Sequence, residues 1–224
     1  MALSQNTWEL NPWYAQDVAG NAGYSGPGDP GALFMWGQAE YGMLGGPHPA
    51  QRSSPAQVGT ETTWTQAYVG RGSIGLKADG TLWTWGTGWP YQGNLGLNAP
   101  SNVEKSSPTQ VGTGTYWSTM THICQISGAV RSDGTLWTWG NNTPGGLGHN
   151  NKTSCSSPKQ VPGTWSTTAG SIIVNSTSDS AFTAVKPDGT LWCWGAGNDG
   201  QLGQGNQTWY SSPVQVGTDT TWSA

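Results

Sequence analysis

Charge is what this chain of 224 residues has least of: only 9% of it is Asp, Glu, Lys or Arg, with 8 basic residues against 12 acidic ones. Neutralising a nucleic-acid backbone takes a stripe of Lys and Arg. None is present, which argues against nucleic acid as a partner. Long apolar runs are missing too, so no helix is expected to cross a bilayer. Cysteine is limited to Cys124, Cys155 and Cys193, odd in number, far apart and without a Cys-x-x-Cys pair. That spacing speaks against a disulfide framework and against a zinc knuckle. The opening residues, Met1 to Asn6, lack the basic and apolar regions of a secretory signal, so export by that route is not expected. Helix formers are scarce beside 35 Gly, 14 Pro and 15 Trp. So many aromatics supply core that a disordered chain does not carry. The composition implies an all-β, turn-rich chain.

What is present is periodic. The string Asp-Gly-Thr-Leu-Trp-x-Trp-Gly occurs at Asp79–Gly86, Asp133–Gly140 and Asp188–Gly195, and a degenerate copy runs from Asp29 to Gly37 with Phe34 in place of the first Trp. Each copy is followed by Gly-x-Leu-Gly (Gly42–Gly45, Gly93–Gly96, Gly145–Gly148, Gly200–Gly203) and then by Ser-Ser-Pro (Ser53–Pro55, Ser106–Pro108, Ser156–Pro158, Ser211–Pro213). Val58, Val111, Val161 and Val216 come next, then Trp64, Trp117, Trp165 and Trp222. Eleven of the fifteen Trp fall on these registers, which chance does not produce. Asp-Gly marks a tight turn, here expected to be a two-residue hairpin with positive φ at Gly80, Gly134 and Gly189. The Asp carboxylates then cap the turns. The Thr-Leu-Trp-x-Trp that follows is a strand apolar on both faces, Leu82 on one and Trp83 and Trp85 on the other. Such a strand needs cover on both sides, so the units must stack. Periods near 50 residues with several strands each point to β-propeller blades. Trp36, Trp85, Trp139 and Trp194 are expected to be equivalent and buried.

These units resemble the repeats of the regulator of chromosome condensation family, whose blades join a strand ending in Trp-Gly, a Gly-Gln-Leu-Gly loop and a Pro-x-x-Val strand. Gly200-Gln201-Leu202-Gly203 matches that loop literally. The resemblance covers about residues 29–224 and implies a propeller. Family members do unrelated things, so it implies no single activity. The family's His-Thr before the hairpin is replaced here by Ser73-Ile-Gly-Leu, Ser127-Gly-Ala-Val and Ala181-Phe-Thr-Ala. Nothing matches a nucleotide-exchange wedge or a basic chromatin-binding tail. The Trp-rich form of the motif, with the opening Asn6–Tyr14, is similar to repeat proteins of bacteriophages and marine bacteria.

The repeats divide the chain into an arm, residues 1–16, and propeller repeats, 17–224. The latter comprise partial blade strands at 17–37, units at 38–86, 87–140 and 141–195, and a partial unit at 196–224. The family ring usually has seven blades, and about four units of ~54 residues are present. Either the two ends close one composite blade, or the chain is an arc completed by something else.

Chemistry is sparse. His48, His122 and His149 have no repeat equivalence, and the two in loops are expected to face solvent. No nucleophile elbow, phosphate loop or His-Glu-x-x-His occurs, and Asn198-Asp199-Gly200 lacks the alternating carboxylates of a calcium loop. No catalytic residue, cofactor or metal is therefore expected. Cys193 replaces Thr84 and Thr138 as a small strand residue. The variable loops after Trp-Gly carry unpatterned aromatics, Trp89 and Tyr91 in one and Trp209 and Tyr210 in another, and loops on a rigid scaffold are where binding resides. The arm carries Trp8, Trp13 and Tyr14, for attachment to a neighbour or for packing along its own blades. The reading is a non-enzymatic scaffold of a virion or surface assembly, binding structural protein subunits, itself, or a surface glycan. The rivals are an enzyme with its site in the propeller channel and a nucleotide-exchange or chromatin-type member of the family, and a cell-surface or cytoplasmic location is the alternative to a virion. The enzyme needs convergent polar residues that the inner-strand positions, mostly Gln, Val and Trp, do not offer.

Overall fold

A computed structural model describes residues 31–46, 51–70, 72–88, 93–99, 103–123, 125–143, 145–175 and 181–223. A pair of strands, β1 (Phe34–Gly37) and β2 (Arg52–Gln57), precedes three four-stranded antiparallel sheets. The first sheet holds β3 (Trp64–Tyr68), β4 (Gly72–Lys77), β5 (Leu82–Thr87) and β6 (Glu104–Gln110) in sequence order. The second holds β7 (Trp117–Ile123), β8 (Ile126–Arg131), β9 (Leu136–Gly140) and β10 (Cys155–Val161). The third holds β11 (Ile172–Asn175), β12 (Ala181–Val185), β13 (Leu191–Gly195) and β14 (Tyr210–Gln215). The chain is all-β, built of propeller blades. Sheet and sequence unit are out of phase. The unit 87–140 gives the fourth strand of one sheet and the first three of the next, because Ser-Ser-Pro returns to pair beside the Trp-Gly strand that precedes it.

The repeated motif explains itself in the third strands. Gly80, Gly134 and Gly189 have φ of +76°, +81° and +77°, as the turn reading requires. The turn is one residue longer than expected: Lys77 N–H donates to Thr81 O at 3.0 Å and Gly80 N–H to Lys77 O at 3.0 Å, which leaves three residues in the connection. Asp79 accepts from the Thr81 amide at 2.9 Å and the Thr81 hydroxyl at 2.6 Å, and Trp83 Nε1–H donates to that hydroxyl oxygen at 2.7 Å. The same Asp–Thr–Trp chain recurs at Asp133, Thr135 and Trp137 and at Asp188, Thr190 and Trp192. The Thr hydroxyl, then the Thr amide, hold each of these Asp below the ordinary carboxylate range. A cation two residues before each Asp covers the same indole. Lys77, Arg131 and Lys186 lie 3.8, 3.8 and 3.6 Å from the ring centres of Trp83, Trp137 and Trp192. Lys77 also pairs with Glu61 and is itself buried. A cation over a desolvated indole contributes about 1–2 kcal/mol.

The second Trp of each motif works between sheets. Trp85, Trp139 and Trp194 are fully buried, and each reaches back to the preceding Gly-x-Leu-Gly turn. Their Nε1–H groups donate to Met43 O at 3.0 Å, Asn94 O at 3.0 Å and Gly146 O at 2.9 Å. The closing glycine of the turn, in the left-handed region at Gly45, Gly96 and Gly148, is the floor of the socket. A Cβ on Gly96 would stand 2.6 Å from the Trp139 nitrogen. Leu82 packs forward instead, in a core with Val111, Trp117, Met120 and Trp139. One such core fills each interval between sheets. Trp36 departs from the expectation. It holds the same register as Trp85, yet it is 58% exposed, because no sheet among the described residues stands behind β1 to receive it.

The first strands lie next to one another across these intervals. Met120 N–H donates to Gln66 Oε1 at 3.3 Å and Val174 N–H to Thr121 Oγ1 at 3.2 Å. His122 is the strongest link. Its Nε2 is 2.6 Å from Gly72 O in the preceding sheet and its Nδ1 2.8 Å from Ser127 Oγ. A carbonyl only accepts, so the proton sits on Nε2, while Ser127 Oγ beside Nδ1 donates to Asn94 O at 3.0 Å. Burial favours this neutral ring and lowers the His122 pKa to about 4.

Two outcomes follow from these contacts. Trp139→Ala should lower the unfolding free energy by roughly 3–5 kcal/mol, through lost contacts and the cavity left behind, measured by urea denaturation. A loss under about 1 kcal/mol would mean that the indole does not join the sheets. His122 binds its proton more readily unfolded than folded, so its contribution is complete above about pH 6.5 and disappears as pH falls toward 4. Thermal unfolding between pH 7 and pH 4 should therefore show a steeper acid loss in the native chain than in His122→Asn, by up to about 3 kcal/mol. Parallel profiles would contradict it.

Candidate functional site

Each third strand begins at its Asp-Gly hairpin and ends at Trp-Gly, so the hairpins gather at one end of the sheets and the variable loops at the other. The loops 38–51, 88–103, 141–154 and 196–209 leave the same end one after another. Two of them, 88–103 and 141–154, bond to the next sheet. Asn98 N–H donates to Ser156 O at 2.7 Å and Asn150 N–H to Ser211 O at 2.7 Å, so Ser-Ser-Pro marks where the neighbouring loop is pinned. Inside loop 141–154, buried Asn142 donates to Asn151 O and Thr153 O and accepts from Leu147 N–H at 2.9 Å. These bonds are local and satisfied, which leaves a rigid rim.

Of the aromatics read from the sequence, Trp209 is 41% exposed, with Lys152 of the preceding loop 5.5 Å from its ring centre. Tyr210 is half-buried against the core, and its hydroxyl accepts from Asn206 Nδ2 at 3.2 Å. It anchors the loop, and Trp209 is the more exposed of the two. Trp89 and Tyr91 lie outside the described residues, as do the arm residues Trp8, Trp13 and Tyr14 and the loop residue His48. A shallow recess lined by Leu95, Leu97, Val103 and Ser156 opens beside loop 88–103. Two rim residues escaped the sequence reading. Tyr41, 42% exposed, sits in a short 3-10 turn at φ +58° just before Gly-x-Leu-Gly. Lys152 is the other. The loops vary in sequence, so no periodic signal marks either one.

His149 is half-buried where solvent exposure was expected, because it lies against the third strand of its own sheet. Its Nε2 is 3.0 Å from Thr138 Oγ1 and 3.1 Å from Lys159 O. Its Nδ1 is 3.9 Å from Cys155 Sγ. Burial lowers the His149 pKa and raises those of Cys155 and Cys193, so the thiols stay protonated and unreactive. Both cysteines are free. Among the described residues no group of three or more His, Cys, Asp or Glu could hold a metal, and no helix is long and apolar enough to cross a membrane.

The family model of the regulator of chromosome condensation (RCC1) repeat matches residues 133–172 and 188–222. Over 193 residues the chain is 27% identical to the E3 ubiquitin-protein ligase HERC2 of Homo sapiens, covering 83% of this chain and 4% of that protein. Over 196 residues it is 29% identical to the probable E3 ubiquitin-protein ligase HERC4 of Rattus norvegicus, covering 82% of this chain and 17% of that protein. Among solved structures, human WBSCR16 superposes with a TM-score of 0.66 at 21% identity, over 85% of this chain and 49% of its own. Prp20p of Saccharomyces cerevisiae, described with its binding to Gsp1p and histones, gives 0.68 at 17% identity, over 85% and 47%. At those identities the likeness is one of fold, and the chain spans under half of each solved relative. The repeated motif, the sheets it builds and these matches agree that the chain carries repeats of the regulator of chromosome condensation type.

Proposed function

We propose that this chain is a non-enzymatic scaffold that binds a protein partner across the rim of loops between its third and fourth strands. The observation that carries this reading is the rim itself. Loops 88–103 and 141–154 are bonded to neighbouring sheets, and Tyr41, Trp209 and Lys152 are exposed at the same end, Lys152 lying 5.5 Å from the Trp209 ring centre. A rigid aromatic beside a cation makes a protein-binding hot spot at small entropic cost. The polar groups of the first strands, Gln66, Thr121 and His122, are spent on holding sheets together, which leaves little for channel chemistry. The fold relative Prp20p is described as binding proteins, and the ubiquitin ligases match this chain over a small part of their length. Protein binding is therefore the property brought to this chain from its relatives, and ligase activity is not.

The setting suggested by the Trp-rich motif, a bacteriophage particle or another surface assembly, belongs to the same proposal. Immunogold labelling of purified particles should find the chain there, and label confined to the cytosol would overturn that part. A surface glycan is the alternative occupant of the rim, and binding to a glycan array tests it.

A photo-crosslinking residue placed at Trp209 should trap a discrete protein partner in the native source. The same residue at Tyr116, an exposed position at the hairpin end, should not. Trp209→Ala should weaken binding of the trapped partner about tenfold or more without changing thermal stability. Equal trapping at both positions would contradict the rim.

A further inference from the structure

The contact that joins consecutive sheets is left half-made at both ends of the described structure. At the front, Trp36 occupies the register of Trp85, Trp139 and Trp194 and has no socket, so 58% of it is exposed. At the back, Gly200-Gln201-Leu202-Gly203 forms the same turn as the three filled sockets, with Gly203 in the left-handed region at φ +64°. The Gln201 carbonyl stands where Met43, Asn94 and Gly146 each accept an indole N–H. In the filled sockets a Cβ on the closing glycine would press on a Trp nitrogen at 2.6–3.1 Å; on Gly203 it would meet only Val216. Leu202 and Val216 form a small apolar cluster with Ala181 and Cys193 that lacks the Trp found in the three others.

A second half-contact lies beside each of these. Trp64, Trp117 and Trp165 each pack against the socketed Trp of their own sheet, with ring centres 5.8, 6.4 and 5.6 Å from Trp85, Trp139 and Trp194. Trp222 holds the same register, its N–H bonded to Gly189 O as Trp165 N–H is to Gly134 O. With no partner indole among the described residues it is 45% exposed, against 1–5% for its equivalents. Ile173, on the same last sheet, is 48% exposed.

We propose that a second copy of this chain seats its Trp36 in the socket formed by Gln201, Gly203 and Val216, against Trp222, and that two copies close head to tail through two such contacts. Knob and socket lie on opposite ends of one chain, and among the described residues the first and last sheets share no strand pair. The surfaces are therefore complementary between copies, which is the heterologous contact that closes into a ring when the rotation allows. The chain covers 46–49% of the solved relatives, so two copies supply about one relative's worth of sheets. This inference does not depend on the rim and its partner.

Sedimentation velocity on the full 224-residue chain tests it. The native chain should be a dimer at micromolar concentration. Trp36→Ala, at an exposed position that does not disturb the fold, should raise the dissociation constant about a hundredfold or more with an unchanged circular dichroism spectrum. Gly203→Asn, which tolerates the left-handed backbone and fills the socket, should do the same. Mixing the two variants should restore a weaker one-to-one complex, since one intact knob then meets one intact socket. The proposal is overturned by a native monomer at every concentration, which would show the chain's own segments covering the ends. A dimer indifferent to Trp36→Ala, or open chains of many copies, would overturn it equally.

Discussion

An indole from each sheet crosses to the sheet before it, and its N–H finds a carbonyl in a turn closed by a left-handed glycine. Most of the remaining architecture is arranged around that contact. The socket needs a glycine because any Cβ would occupy the space of the ring. It needs Leu and Val beside it to fill the interval, as Leu44 and Val58 do around Trp85. The Ser-Ser-Pro strand must return next to it, which fixes where each loop starts and stops. A buried Trp with its one polar atom satisfied contributes several kcal/mol of burial and packing, repeated at every interval. Backbone bonds such as Trp117 N–H to Gly80 O and Asn98 N–H to Ser156 O, and side-chain bonds at Gln66, Thr121 and His122, add to it.

Much of this was legible because the repeat is a record of the contact. Leu on one face and two alternate Trp on the other announced a strand covered on both faces, and the Asp-Gly turn announced the positive φ seen at Gly80. The sequence did not show why Asp is followed by Thr, or that Lys77, Arg131 and Lys186 lie over the first Trp of each motif, because Lys and Arg exchange at that place and only their charge repeats. It also placed Trp36 in the core, since periodicity reports what a residue is equivalent to and is blind to whether a neighbouring sheet exists. The rim was legible only in part. Trp209 stood out as an aromatic off the register, whereas Tyr41 and Lys152 gain meaning from loops brought together by the stacking.

Division of labour follows from the same geometry. Residues that repeat are consumed in holding the sheets, down to the capped Asp carboxylates. Several exposed residues that do not repeat, Tyr41, Lys152 and Trp209, lie at the Trp-Gly end. On the proposed reading, a scaffold of this kind would change its partner by changing loops while the indole contact stays constant.

Hydrogen exchange of the indole N–H groups, followed by nitrogen-resolved NMR, tests the central claim most directly. The Nε1 protons of Trp85, Trp139 and Trp194 should exchange only with global unfolding of the chain, and they should be slower by orders of magnitude than that of Trp209. If the Trp139 indole exchanges as fast as Trp209, the sheets are not held together by this contact and the account fails.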